Sequence, residues 1–149
     1  MRRTILVADG DPRTRRLLRV ALEPRAFAVL DAPDPISTLT LLLWIPVALV
    51  VINPRQPGSR QLNPTACRLL RWIHRGASFV RLPIVMFADS PLTDDEQRAM
   101  GARGVEVVQK TEGVPHLAAR IRALTANYQP TPVTQREARF MPFVMTPAR

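Results

Sequence analysis

The sequence predicts a single doubly wound, five-stranded parallel sheet with helices on both faces. Strand-like and helix-like stretches alternate five times between residues 1 and 126, the pattern of a parallel α/β sheet. Residues 47–52 read Val-Ala-Leu-Val-Val-Ile, a continuous apolar run of the kind required of a strand covered on both faces. Twice an Asp-Pro pair, at 11–12 and 34–35, opens a helical stretch, with the aspartate placed to cap and the proline pre-set for the first turn.

The elements follow in order. Residues 4–8 form a short buried strand rich in β-branched side chains. Residues 12–22 form a helix with Leu17, Leu18, Ala21 and Leu22 inward and Arg13, Arg15, Arg16 and Arg19 outward, stopped by Pro24. A second strand covers 27–30. A second, unusually apolar helix runs from 35 to 44, broken by Pro46, and leads into the central strand at 47–52. Loop residues 54–63 precede a third helix at 64–75 and a fourth strand at 82–87. The acidic first turn Thr93-Asp94-Asp95-Glu96 opens a short helix ending near Met100, with Gly101 as its stop. Residues 105–109 make the fifth strand and 114–126 the last helix, with Leu117, Ala118, Ile121 and Leu124 inward. Right-handed crossovers then give a flavodoxin-like strand order.

Domain 1–126 is followed by a tail, 127–149, with four prolines, no glycine and an apolar knot at 140–145. Its composition reads as a flexible segment, with docking of the knot as the alternative. Twenty-one Lys+Arg against twelve Asp+Glu give a net charge of +9. Such a chain is either simply well solvated or drawn to nucleic acid or an acidic partner surface. A single cysteine, Cys67, excludes an intramolecular disulfide. Residues 2–3 pass directly into a strand-like run, and the longest apolar stretch, 39–52, is short for a membrane span and split by Pro46. The expectation is a soluble cytoplasmic protein without membrane contact. Six glycines and no Gly-rich phosphate loop argue against nucleotide binding. His74 and His116 have no partners at metal spacing, so no enzyme and no metal site are expected.

Two strand ends carry a resemblance. Residues 5–12 read Ile-Leu-Val-Ala-Asp-Gly-Asp-Pro, and the central strand ends at Asn53 with Pro57 four residues later. Together these resemble a response-regulator receiver domain. In that family an acidic pair after the first strand holds Mg²⁺. An aspartate after the third strand takes a phosphoryl group from a histidine kinase, and a Thr/Ser and a Lys bind its oxygens. Matched by position, the pocket of this chain holds Asp9, Gly10, Asn53, Ala88 and Lys110, with Asp11 one place past the pair and Asp89 and Ser90 following Ala88. An amide is a poor nucleophile and a poor ligand for a hard cation. The resemblance therefore implies no phosphotransfer, no cofactor, weak or absent Mg²⁺ binding, and a Lys110 free to pair with Asp9.

What remains is a stand-alone, atypical receiver in two-component signalling that binds a protein without phosphorylation. The partner expected is a histidine kinase, another regulator or a second copy, or a kinase occupied as by a decoy. The family's output surface places Arg98, Arg103, Arg120 and Arg122 here, with Glu106, Gln109 and His116. The alternative is nucleic-acid binding on one basic surface formed by Arg13, Arg15, Arg16 and Arg19 with Arg60, Arg68, Arg71 and Arg75. Trp72 and His74 would then be possible stacking groups.

Overall fold

The structure is a computed structural model describing residues 2–56, 58–75, 79, 81–131 and 133. Its elements are β1 (Arg3–Ala8), α1 (Pro12–Leu22), β2 (Phe27–Ala32), α2 (Pro35–Trp44), β3 (Leu49–Ile52), α3 (Pro64–Ile73), β4 (Ile84–Ala88), α4 (Asp94–Ala102), β5 (Glu106–Gln109) and α5 (Val114–Thr125). The helices begin where side chains satisfy orphan backbone donors. Asp11 accepts from the Arg13 amide at 2.9 Å, Asp34 from Ser37 at 2.7 Å and Asn63 from Thr65 at 2.9 Å. Thr93 and Glu96 form a reciprocal capping box on α4, at 3.1 and 3.0 Å.

All strand pairs are parallel, in the order β2-β1-β3-β4-β5, the flavodoxin-like order expected from the alternation. Successive side chains of β1 point to opposite faces. Ile5 and Val7 pack with Leu18 and Leu22 of α1 and Leu117, Ala118 and Ile121 of α5. Leu6 and Ala8 join Leu39 and Leu42 of α2, Leu69, Leu70 and Ile73 of α3, and Met100 of α4. Both faces are covered, which is why β3 has no polar position.

Several details differ from the expectation. The inward stripe of α1 is Thr14, Leu18 and Leu22, four residues apart. Leu17 lies a step round the helix and is 49% exposed, while Ala21 is half-buried. Gly101 does not stop α4. The helix continues to Ala102, and Gly104, at φ +65°, makes the left-handed turn that follows. Val47 and Ala48 are buried ahead of β3, and α3 ends at Ile73 with His74 as its cap.

Beyond α5 the chain turns back across the base of the sheet. Arg3 donates to the carbonyls of Tyr128 (3.0 Å) and Ala126 (3.3 Å), and Tyr128 and Val133 pack against the core on the α2 side. The apolar knot at 140–145 lies outside the described residues. Among the described residues no helix is long and apolar enough to cross a membrane.

Candidate functional site

Parallel pairing of β1 with β3 sets Ala8 opposite Ile52, so Asp9 and Asn53 emerge side by side at the carboxyl edge. The Asn53 amide donates to the Ala8 carbonyl at 2.9 Å, and the Asp9 amide to Ala32 at 3.2 Å. Asp9 is buried. Its Oδ1 accepts from the Asp11 amide at 2.8 Å, and its carbonyl accepts from Arg15 at 2.7 Å. Burial raises the Asp9 pKa, opposed by the Asp11 amide and by Lys110, while the charges of Asp89 and Asp11 add to the rise. The Asn53 Oδ1 turns back to accept from the Arg55 amide at 3.2 Å, so its side chain braces its own loop. Ala88, paired with Gln109, closes β4 as a buried methyl group.

Lys110 opens a short 3₁₀ turn after β5. The expected Lys110–Asp9 ion pair is replaced by another. The ammonium pairs with Asp89, donates to Thr14 Oγ1 at 3.0 Å, and lies 5.7 Å from the centre of the Phe87 ring. Asp89, at the end of the neighbouring strand, meets the lysine outside the pocket, whereas Asp9 is held inside it by the Asp11 amide. The cavity between the ends of β1 and β3 and the starts of α2 and α3 is about 80 Å³, and Asp9, Gly10, Thr38, Asn53 and Asn63 are among its lining residues. That admits small molecules or water and is well short of the roughly 300 Å³ of an ordinary ligand pocket. At the positions matched to the resembling family's Mg²⁺ and acceptor residues the pocket offers Asp9, a glycine and an amide. The second carboxylate lining the cavity, Asp34, caps α2 through the Ser37 amide, so the donor set does not fit a cation wanting several carboxylate oxygens. Among the described residues no group of three or more His, Cys, Asp or Glu could hold a metal ion.

The most heavily bonded polar group at this edge is one that sequence reasoning missed. Arg55, two residues past Asn53, is 5% exposed and reaches across to the loop between β4 and α4. Its Nε donates to Glu96 Oε2 at 2.9 Å and Nη2 to Glu96 Oε1 at 3.2 Å. Nη1 donates to Ser90 Oγ (2.9 Å) and carbonyl (3.3 Å), and Nη2 also to the Pro91 carbonyl (3.3 Å). Glu96 is equally buried. The Arg55 hydrogen bond lowers its pKa against the opposing effect of burial, helped by the Thr93 amide. The partners are 41 residues apart, and the sequence signals only half of the arrangement: Glu96 is legible in the acidic first turn of a helix, its arginine is not.

The proposed output residues divide. Arg120 binds Glu106 of β5 at 2.8 Å, Arg98 pairs with Asp95, and Arg103 donates to the Ala99 carbonyl at 2.8 Å. Arg122 lies over the ring of Phe27, at 5.9 Å. Phe27 belongs to β2, the edge opposite β5, and the charge of Arg103 acts on Cys67 and His74 on the α3 side, so neither Arg122 nor Arg103 falls with Arg120 beside β5. The composite basic surface is also corrected. Arg13, Arg15, Arg16 and Arg19 ride on α1, in the layer with α5, whereas Arg68 and Arg71 ride on α3, with Arg75 in the turn just after it, across the sheet. The sheet separates the two sets. Arg15 and Arg19 are further engaged with Asp31, Arg19 also with Glu23 and the Val29 carbonyl. Arg60 donates to the Pro91 carbonyl at 2.8 Å. Trp72 is buried against Phe79, ring centres 5.4 Å apart, and burial and Arg103 lower the His74 pKa.

No protein-family model matches the chain, and no curated protein matches it in sequence. Solved structures do. The chemotaxis protein CheY4 of Vibrio cholerae is similar with a TM-score of 0.71 at 12% identity, over 83% of this chain and 99% of that one. A CheY-like response regulator receiver domain protein of Methanospirillum hungatei gives 0.72 at 15%, over 85% and 95%. A response regulator of Thermotoga maritima gives 0.70 at 19%, over 85% and 100%. The likeness takes in nearly the whole of each of these structures, and the fold of this chain is that of CheY-like receiver domains.

Proposed function

We propose that this chain is an atypical receiver-like module of two-component signal transduction that acts by binding a protein partner without being phosphorylated. The observation that supports the reading most is Asn53, which follows β3 beside Asp9 in a receiver-like fold, the place that the resemblance matches to the family's acceptor. Gly10 and Ala88 add to it, since neither supplies the carboxylate or hydroxyl that phosphoryl chemistry uses there. Weak or absent Mg²⁺ binding belongs to the same reading. The partner is a histidine kinase, another regulator or a second copy, met by the surface of α4, β5 and α5 that carries Arg98 and Arg120. Decoy binding of a kinase is one form of this function.

The test is capture of partners from native lysate by the tagged full chain, with and without nuclease, read by mass spectrometry. A nuclease-resistant kinase or regulator, lost on Arg120→Glu and retained on Arg122→Glu, is the expected result. Capture that survives Arg98→Glu and Arg120→Glu alike removes this surface. Capture abolished by nuclease returns the function to nucleic acid, on one arginine set rather than both.

A further inference from the structure

A receiver whose acceptor is an amide receives no covalent signal at residue 53, so the conformation of the neighbouring loops has to be set by the chain itself. We propose that Arg55 is a built-in latch, a positioning residue that holds the β3–α3 loop, the β4–α4 loop and the first turn of α4 in one arrangement. The inference rests on the receiver reading above, and it names what fixes the docking face in the absence of a switch.

Three observations carry it. The guanidinium makes five hydrogen bonds, to both carboxylate oxygens of Glu96, to the hydroxyl and carbonyl of Ser90, and to the Pro91 carbonyl. The fork geometry of an arginine suits such two-point recognition of a carboxylate. Second, the platform under Arg55 is closed on itself. Arg55 bridges antiparallel to Leu62, the Gln56 amide donates to the Gln61 carbonyl at 2.8 Å, and the Asn63 amide donates to Pro54 at 2.7 Å. Asn53 Oδ1 holds the Arg55 amide from the other side. Third, Glu96 is both the partner of Arg55 and the capping residue of α4, accepting from the Thr93 amide with the same Oε1 that meets Nη2. A change at Arg55 therefore reaches the start of α4 through a single carboxylate. Opening the loop would pull a buried cation away from its buried anion, an expensive motion in a low-dielectric setting.

The latch is tested by backbone ¹⁵N relaxation on the full chain, comparing the wild type with Arg55→Lys and Glu96→Gln. Lysine keeps the charge and loses the fork; glutamine keeps a capping side chain and loses the charge. In the wild type, amides of residues 88–90 and 92–96 should have order parameters of about 0.85, equal to those of β1, and in both variants they should fall toward roughly 0.6 while β1 is unchanged. Order parameters report motion within the folded state, so an ordinary loss of stability does not move them. A loop already mobile in the wild type, or one as rigid as β1 in both variants, overturns the proposal. If a single variant does not fold, Arg55→Met with Glu96→Leu removes both charges without stranding either, and the same readout applies. The two readings fail separately: a loop that stays rigid in both variants overturns the latch whatever the capture shows, and a wild-type chain that captures no protein partner overturns the docking reading whatever the loop does.

Discussion

Lys110 and Thr14 are joined across 96 residues by a 3.0 Å hydrogen bond from Nζ to Oγ1. Thr14 is buried on the inner stripe of α1, so the lysine after β5 ties the first helix to the last strand. Its second partner, Asp89, follows β4. A lysine that in the resembling family would serve a phosphoryl group here joins α1, the end of β4 and the end of β5.

The geometry predicts where the coupling lies. A double-mutant cycle on Lys110→Met and Asp89→Asn should return about 0.5 kcal/mol, since Asp89 is more than half exposed and its pair is screened by water. The cycle on Lys110→Met and Asp9→Asn should return less. Thermal or urea unfolding of the single and double variants measures both, and a larger value for the Asp9 cycle would contradict the observed pairing.

Asp9 is predicted to weaken the fold at neutral pH. Its pKa is raised, first by burial, so the native state holds that proton more tightly than the unfolded chain. The contribution is fully present below the unfolded aspartate value of about 3.9 and is lost as pH rises through the raised folded value. Asp9→Asn keeps an oxygen for the Asp11 amide and removes the buried charge. Its melting temperature should exceed that of the wild type at pH 7, and the gap should close as the pH falls below the aspartate range.

Glu96 has the opposite sign. Arg55 lowers its pKa, so its contribution is present above the unfolded glutamate value of about 4.3 and disappears as pH falls through the lower folded value. Glu96→Gln leaves Arg55 buried without its counter-charge and should cost roughly 3 kcal/mol at pH 7, whereas Arg55→Met with Glu96→Leu should be near neutral. Urea titrations at pH 7 and pH 3 separate these cases: the Glu96→Gln deficit should shrink in acid, and an equal deficit at both values would argue that packing, not charge, is lost.

The fold was legible because its signals are local. Asp11-Pro12, Asp34-Pro35 and the acidic first turn 93–96 mark helix starts within four residues, and the unbroken apolar β3 announces a strand covered twice. The positions of Asp9, Asn53, Ala88 and Lys110 at strand ends follow from those same boundaries. What stayed hidden depends on side-chain reach. Whether Lys110 turns to Asp9 or Asp89, whether Arg122 leans toward β5 or over Phe27, and that Arg55 meets Glu96 are set by packing between distant segments. The misplaced joint arginine surface arose the same way: composition records how many arginines α1 and α3 carry, not that a sheet stands between them.

Restoring carboxylates should separate the fold from the missing chemistry. Of the three positions where the resembling family carries carboxylates for Mg²⁺ and phosphoryl transfer, this chain keeps Asp9 and has Gly10 and Asn53 at the others. Gly10→Asp with Asn53→Asp would gather three carboxylates beside the ends of β1 and β3. Their mutual repulsion should lower the melting temperature without added metal. Mg²⁺ bound only by the folded form should then recover it, by about 2.7 kcal/mol at a free concentration one hundred times Kd. Thermal melts across a MgCl₂ series, with NaCl at matched ionic strength as the control, make the comparison. The expected result is a metal-specific rise in the double variant and none in the wild type. A rise of equal size in both would mean that the wild-type pocket already takes the cation with a single carboxylate, and the donor-set argument would fail.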